Sequence, residues 1–188
     1  MTEGLLRGRL EFLAAAEALK DVLRSGHTSG GRPESTAEHS WRLCLMALVL
    51  EDQFRGLDML KVLKLCIVHD LGEAIHGDLP AIAQSDKAAK SAQERQDLME
   101  LSACLDAPLR TEILSLWEEY EAGASPEARA VKAMDKLETI LQHTQGRNPP
   151  DFDYAFNLGY GRAHTGASPL FTALREMLDQ ATRARMKS

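Results

Sequence analysis

Residues 60–78 read LKVLKLCIVHDLGEAIHGD. The first nine form an apolar run interrupted only by two lysines, a pattern that predicts a largely buried helix. His69 and Asp70 follow side by side, where inward positions are normally apolar. Burying a carboxylate without a partner costs several kcal/mol, so a cation or a dense set of hydrogen bonds should meet Asp70. Gly72 is a plausible stop, giving a helix over about residues 57 to 71. Leu60, Leu63 and Ile67 form its stripe, with Asp70 next in line.

Working outward, apolar residues recur at helical spacing almost throughout, and alternating β-branched runs are missing. The chain reads as all-α, a single-domain helical bundle. A first helix is expected over about residues 3 to 24, with Leu6, Leu10, Leu13, Ala16 and Leu23 along one stripe. The stretch RSGHTSGGRPES then makes a loop, and an ordered loop of this length often serves function. Ser35 and Glu38 have the spacing of a capping box and start a helix to about Phe54, with His39, Leu43, Met46 and Leu50 on its inner face.

After Leu79-Pro80, a polar, alanine-rich segment leads into a helix ending near Leu105. Pro108 opens another, with Leu109, Ile113, Leu116, Trp117 and Tyr120 as its apolar side. Pro126 starts a helix to about Gln145, in which Ala130, Met134, Leu137 and Leu141 face the core and Asp135 shares a row with Val131 and Glu138. Residues 146–169 read as a long, aromatic-anchored loop with one helical turn, and Ser168-Pro169 begins the last helix.

Bulk properties narrow the function. The chain has 188 residues, enough for one sizeable core. A formal net charge of -6 disfavours nonspecific binding to nucleic acid or an anionic membrane. Cys44, Cys66 and Cys104 are odd in number and lie in apolar helical stretches, so they read as core residues of a reducing compartment. No leader opens the chain and no apolar run approaches the roughly 20 residues that span a bilayer, so a cytoplasmic location is the expectation.

Four groups on three helices are aimed inward: His39, the His69-Asp70 pair and Asp135. Two neutral imidazoles and two carboxylates suit a divalent metal such as Mn, Fe, Co, Ni or Zn. Such an ion lowers the pKa of a water toward neutrality and polarises a phosphoryl oxygen, as a hydrolase requires. A lone inward histidine is more often a hydrogen-bonded core residue, and Asp135 alone could pair with Lys132 or Lys136. Taken together, the four reverse that balance.

The order His, His-Asp, Asp resembles the HD-domain metal-dependent phosphohydrolases, an all-helical superfamily in which these positions bind the metal. The strings ESTAEHSWR, HDLGEAIHGDLP and LWEEYEAGASPEARAVKAMDKLE are similar to the small branch that contains the 5'-deoxynucleotidases, over roughly residues 5 to 145. The resemblance implies a metal-binding core over about residues 20–145, followed by a C-terminal loop and helix over 146–188. It implies His39, His69, Asp70 and Asp135 as ligands of one divalent ion (Mn, Co, Fe, Ni, Zn or Mg), Glu73 and Asp78 in acid/base and substrate-contact roles, and Arg24 on the substrate phosphate. It further implies a small-molecule nucleotide substrate and a homodimer.

The outer residues agree with these roles. Glu73 lies three residues past Asp70, within reach of a water at the centre. Asp78 follows Gly77 at a turn, where it could bind a sugar hydroxyl or cap the turn. Arg24 offers a guanidinium fork for phosphate oxygens, or a cation for the end of its helix. His76 is the remaining histidine best placed to line a pocket. Where members of the branch carry a tryptophan, directly after the arginine or three positions after it, this chain has Ser25 and His27, which leaves the basis of sugar selectivity open. The same centre could cleave another phosphate ester or a cyclic nucleotide, and a noncatalytic nucleotide-binding module or a metal-free interaction protein are the other classes.

Overall fold

The helix that organises the molecule is α7 (Pro126–Gln145), and its bounds are those the sequence predicts. Ser125 caps it by accepting from the amide of Ala128 at 3.0 Å, and Pro126 presets the first turn. It is buried on nearly every side: Ala128, Val131, Ala133, Met134, Leu137 and Ile140 are core residues, yet Asp135, Glu138, Thr139 and His143 are buried as well. The computed structural model describes residues 2–78 and 87–187, so Leu79-Pro80 and the segment up to residue 86 lie outside the described residues.

Around α7 pack α2 (Thr36–Val49), α3 (Met59–Val68), α6 (Ala107–Ala122) and α10 (Pro169–Arg185). The capping box at the start of α2 is present, with Ser35 accepting from the Glu38 amide and the Glu38 carboxylate accepting from the Ser35 amide. One apolar cluster joins Leu43, Val62, Leu65, Met134, Leu137 and Phe171 across these helices. A second, with Leu19, Leu71, Leu98, Leu101 and Trp117, lies against α5 (Lys87–Leu101) and the end of α1 (Glu3–Ala16). The all-α expectation holds, with one addition: β1 (Leu23–His27) and β2 (Pro33–Ser35) form an antiparallel hairpin. No helix among the described residues is long and apolar enough to cross a membrane.

Several sequence expectations are corrected. The first helix stops at Ala16, a 3-10 turn covers Glu17–Lys20, and Arg24 rides on β1 instead of closing a helix. The predicted stripe is also reversed, for Leu6, Leu10 and Leu13 are 49%, 66% and 64% exposed. What α1 buries is Gly8, which touches the backbone at Cys104 so closely that a Cβ there would lie 2.1 Å from its carbonyl oxygen. Leu60 and Ile67 of α3 are likewise exposed, and Val62, Leu65, Cys66 and Val68 face inward. Two apolar stripes compete in this run; Lys64 falls on the Leu60–Ile67 face, and the packing chooses the stripe that leads to His69. Asp70 is therefore not an extension of the Leu60–Ile67 row but lies in the turn after the helix.

Residues 146–169, expected as loop with one turn, carry two short helices, α8 (Ala155–Gly159) and α9 (Arg162–Thr165). The buried guanidinium of Arg175 on α10 holds them. It donates to the carbonyls of Tyr160 at 2.5 Å, Asn157 at 2.6 Å and Leu158 at 2.9 Å, and pairs with Asp179 at 2.7 Å. Its loss would leave Asp179 to Arg162 alone, at 3.0 Å, and would remove three charge-assisted hydrogen bonds to backbone carbonyls. Arg175→Met should lower unfolding free energy by about 3 kcal/mol in urea titrations, and a loss below the range of surface substitutions, about 0.5 kcal/mol, would contradict this role.

Candidate metal centre

Three elements deliver the inward groups. His39 comes from the second turn of α2, His69 caps α3, Asp70 follows it in the turn, and Asp135 stands mid-way along α7. His39, His69 and Asp70 offer atoms within 4.8 Å of one another. Asp135 Oδ1 lies 3.3 Å from His39 Nε2, and Asp70 Oδ2 lies 3.0 Å from His69 Nε2. The structure thus gathers His39, His69 and Asp70 in one group, to which Asp135 is joined through His39.

The orientation of the two imidazoles is informative. His39 Nδ1 is hydrogen-bonded to the Glu138 carboxylate, and His69 Nδ1 donates to the Cys66 carbonyl at 2.9 Å. With Nδ1 engaged on each ring, Nε2 faces the shared space, and both Nε2 atoms are buried with no hydrogen-bond partner. Carboxylate oxygens of Asp135 and Asp70 stand 3.3 Å and 3.0 Å from the Nε2 atoms of His39 and His69. This is the arrangement in which a backing acceptor fixes the tautomer of a metal-binding histidine.

The carboxylates are equally divided between outward and inward atoms. Asp135 Oδ2 accepts from the Tyr120 hydroxyl and the Lys136 ammonium, each at 2.7 Å, which leaves Oδ1 facing His39. Burial opposes ionisation of Asp135, but Lys136 and the two histidines overcome it and hold the group well below the ordinary carboxylate range. Asp70 is likewise held low, where burial is outweighed by His69 and by Arg24, whose Nη1 donates to Asp70 Oδ2 at 3.2 Å. Burial and Arg24 pull His39 down, but Glu138 and Asp135 raise it to about 10. Without a cation these acids favour a proton on His39; a dication between them would displace that proton, and two anionic carboxylates with two imidazoles make a set that fits a borderline dication.

Arg24 also donates to Thr139 Oγ1 at 3.2 Å and lies 3.8 Å from Glu34. Behind His39, Glu34 and Glu138 form a second carboxylate pair, but Arg42 stands 2.5 Å from Glu138 and 3.9 Å from Glu34, so guanidinium groups already answer their charge. Burial and the charge of Glu138 push Glu34 up to about 7. Glu138, Tyr120, Lys136 and Thr139 were not recognised in the sequence as parts of a site. Glu138 shares a row with Asp135, but its partner on α2 is 99 positions away and leaves no local signal.

Glu73, in the short α4 (Glu73–His76), is buried; it accepts from Thr36 Oγ1 at 3.2 Å and lies 3.6 Å from Lys90 Nζ. Asp78 stands 3.8 Å from the same ammonium, which Glu94 also holds at 2.9 Å. His76 does not line the centre: it pairs with Asp97 at 2.9 Å, with its side chain 63% exposed. Glu119 pairs with Lys61 at 2.6 Å.

Fold and site define a class of helical proteins that gather histidine and aspartate groups from separate helices at one centre. The chain belongs to the HD domain family, which matches residues 16–175. It is 39% identical over 135 residues to 5'-deoxynucleotidase HDDC2 of Danio rerio, covering 71% of this chain and 66% of that one. To the Homo sapiens protein of the same name it is 36% identical over 141 residues, 74% of this chain and 68% of that one. The match thus spans about two thirds of the length of these curated relatives. A crystal structure of a predicted metal-dependent phosphohydrolase from Magnetospirillum magnetotacticum MS-1 superposes with a TM-score of 0.83 at 27% identity, covering 96% of this chain and 94% of that one.

Burial, followed by the charges of Asp70 and Asp78, raises the Glu73 pKa to about 10. An acid whose folded pKa exceeds its unfolded value keeps its proton in the native state only, so its contribution to stability is lost as pH rises between the two values. Chelator-treated protein should therefore lose stability between about pH 4.5 and 10, and Glu73→Gln should flatten that decline in thermal melts across the range. Parallel curves for the two proteins would show that Glu73 is ionised in the native state.

Proposed function

We propose that the chain is a metal-dependent phosphohydrolase that converts deoxyribonucleoside 5'-monophosphates to nucleoside and inorganic phosphate. In this reading His39, His69, Asp70 and Asp135 hold one divalent ion (Mn, Co, Fe, Ni, Zn or Mg). The observation that carries it is the convergence of two buried, unpartnered Nε2 atoms with carboxylate oxygens of Asp70 and Asp135, each ring locked by its other nitrogen. The curated relatives named 5'-deoxynucleotidase, at 36–39% identity, support the substrate class.

A bound dication supplies Lewis acidity, activating water and polarising a phosphoryl oxygen. The protein's own groups do the rest. Arg24 is divided among Asp70, Thr139 and Glu34; when an ion answers Asp70, its fork is available to phosphate oxygens. Burial and the charge of Asp78 favour the protonated form of Glu73 even when an ion answers Asp70, and in this reading Glu73 serves as the acid for the departing 5'-oxygen. Asp78, tethered with Glu73 to Lys90, orients the reacting groups. Like charges around a buried carboxyl thus keep one acid protonated, while cations keep Asp70 and Asp135 ionised.

A phosphate-release screen of 5'-monophosphates with several divalent ions tests the activity. Turnover should be abolished by chelation, and Glu73→Gln should lower kcat by about 10²- to 10⁴-fold with the ion still bound; no release from any 5'-monophosphate would end the reading. Glu138→Gln should weaken divalent-ion affinity by about 10- to 100-fold in calorimetric titration, because it loosens the His39 ring. Wild-type affinity in that variant would remove His39 from the ligand set or Glu138 from its support.

A further inference from the structure

Beyond the charged centre, α7 carries a second polar constellation. Asp135, Thr139 and His143 recur every four residues on one face, so His143 stands about 12 Å along the helix from Asp135. The hairpin lies over this face. Its five-residue strand β1 pairs with the three-residue β2 through Leu23–Ser35 and His27–Pro33, so residues 24–26 bulge. A bulge re-aims side chains that would otherwise alternate, and here both Arg24 and Ser25 reach α7, at Thr139 and His143. Gly26 permits the approach, since a Cβ there would lie 3.1 Å from Gln142 Cγ and from His143 Cδ2.

The hydrogen bonds of this group have a direction. Asn157 Nδ2 donates to Thr182 Oγ1 at 3.5 Å, which turns Asn157 Oδ1 toward His143 Nδ1 at 2.8 Å. Nδ1 therefore carries the hydrogen, and Nε2 presents a lone pair to Ser25 Oγ at 3.4 Å. Burial lowers the His143 pKa, which keeps the ring neutral and this tautomer intact. Asn157, Thr182 and His143 are buried, whereas Ser25 is exposed. With its hydrogen committed to His143, the Ser25 oxygen offers lone pairs to solvent beside Arg24.

We propose that Ser25, backed by His143 and Asn157, is a specificity-determining acceptor for a hydroxyl on the sugar of the nucleotide whose phosphate Arg24 holds. This rests on the nucleotidase reading above and deepens it. The acceptor character follows from the relay: a hydroxyl that donates to an imidazole lone pair accepts best from a second donor. Two hydroxyls of a nucleotide have this chemistry, the 3'-hydroxyl of both sugar classes and the 2'-hydroxyl of ribose alone.

The test is Ser25→Ala in the metal-loaded enzyme, a change at an exposed residue, assayed on a deoxyribo-, a ribo- and a 2',3'-dideoxyribonucleoside 5'-monophosphate. We expect KM to rise about three- to tenfold for substrates bearing the recognised hydroxyl and to stay fixed for the dideoxy analogue, with inhibition by inorganic phosphate unmoved. A rise for both hydroxylated substrates assigns the 3'-hydroxyl, and a rise for the ribonucleotide alone assigns the 2'-hydroxyl. Unchanged KM for all three, or a parallel weakening of phosphate inhibition, overturns the inference while leaving the nucleotidase reading intact. Absence of turnover in the unmodified enzyme overturns both.

Discussion

The structure depends on one constraint: α7 must bury Asp135 and Glu138 beside two histidines without leaving any charge unanswered. It does so by giving each carboxylate an outer and an inner duty. Glu138 holds His39 Nδ1 and meets Arg42, while Asp135 takes Tyr120 and Lys136 on one oxygen and turns the other toward His39. Both imidazoles are thereby committed at Nδ1 and unpartnered at Nε2. These nitrogens face carboxylate oxygens, Asp135 at 3.3 Å and Asp70 at 3.0 Å, and a cation held between them would answer both acids at once.

The same economy sorts the acids. Asp70 and Asp135 lie among histidines, Arg24 and Lys136, and remain ionised despite burial. Glu73 lies between Asp70 and Asp78, with one lysine shared three ways, and keeps its proton. Carboxyl groups within one small region are pushed apart in proton affinity, which is how a site assigns ligand and acid to the same functional group. The division comes from the placement of cations on one side and anions on the other.

What the sequence revealed depended on how local the signal was. The caps at Ser35 and Ser168 mark helix starts because their partners lie three residues away, Pro126 marks another, and α7 carries its inner row in plain periodicity. The run through α3 carries two apolar stripes, and packing selected Val62 and Leu65 over Leu60 and Ile67, the row that Lys64 shares. The leucines of α1 misled in the same way, since periodicity shows that a face exists but not that anything covers it. The hairpin was missed because RSGHTSGGRPES has no strand pattern; its pairing is carried by the backbone and by its contact with α7. The four central residues were legible as a set, whereas Glu138 and Tyr120 acquire their roles only across helices.

The C-terminal segment shows why matching a motif does not exhaust a site. The buried guanidinium of Arg175 gathers the carbonyls of Asn157, Leu158 and Tyr160. Fixing Asn157 places its side chain on His143, near the outer end of the polar face of α7. Fixing Tyr160 sets Gly161 so tightly against Lys136 that a Cβ would lie 2.5 Å from the lysine Cβ, and sets the Tyr160 ring 5.3 Å from the ammonium that holds Asp135. One buried arginine therefore steadies both the inner and the outer polar groups of α7 through a loop that contributes none of the four central residues. Changes in this loop can alter the site without touching the His, His-Asp, Asp set, because rigidity at Asn157 and Tyr160 is transmitted through His143 and Lys136.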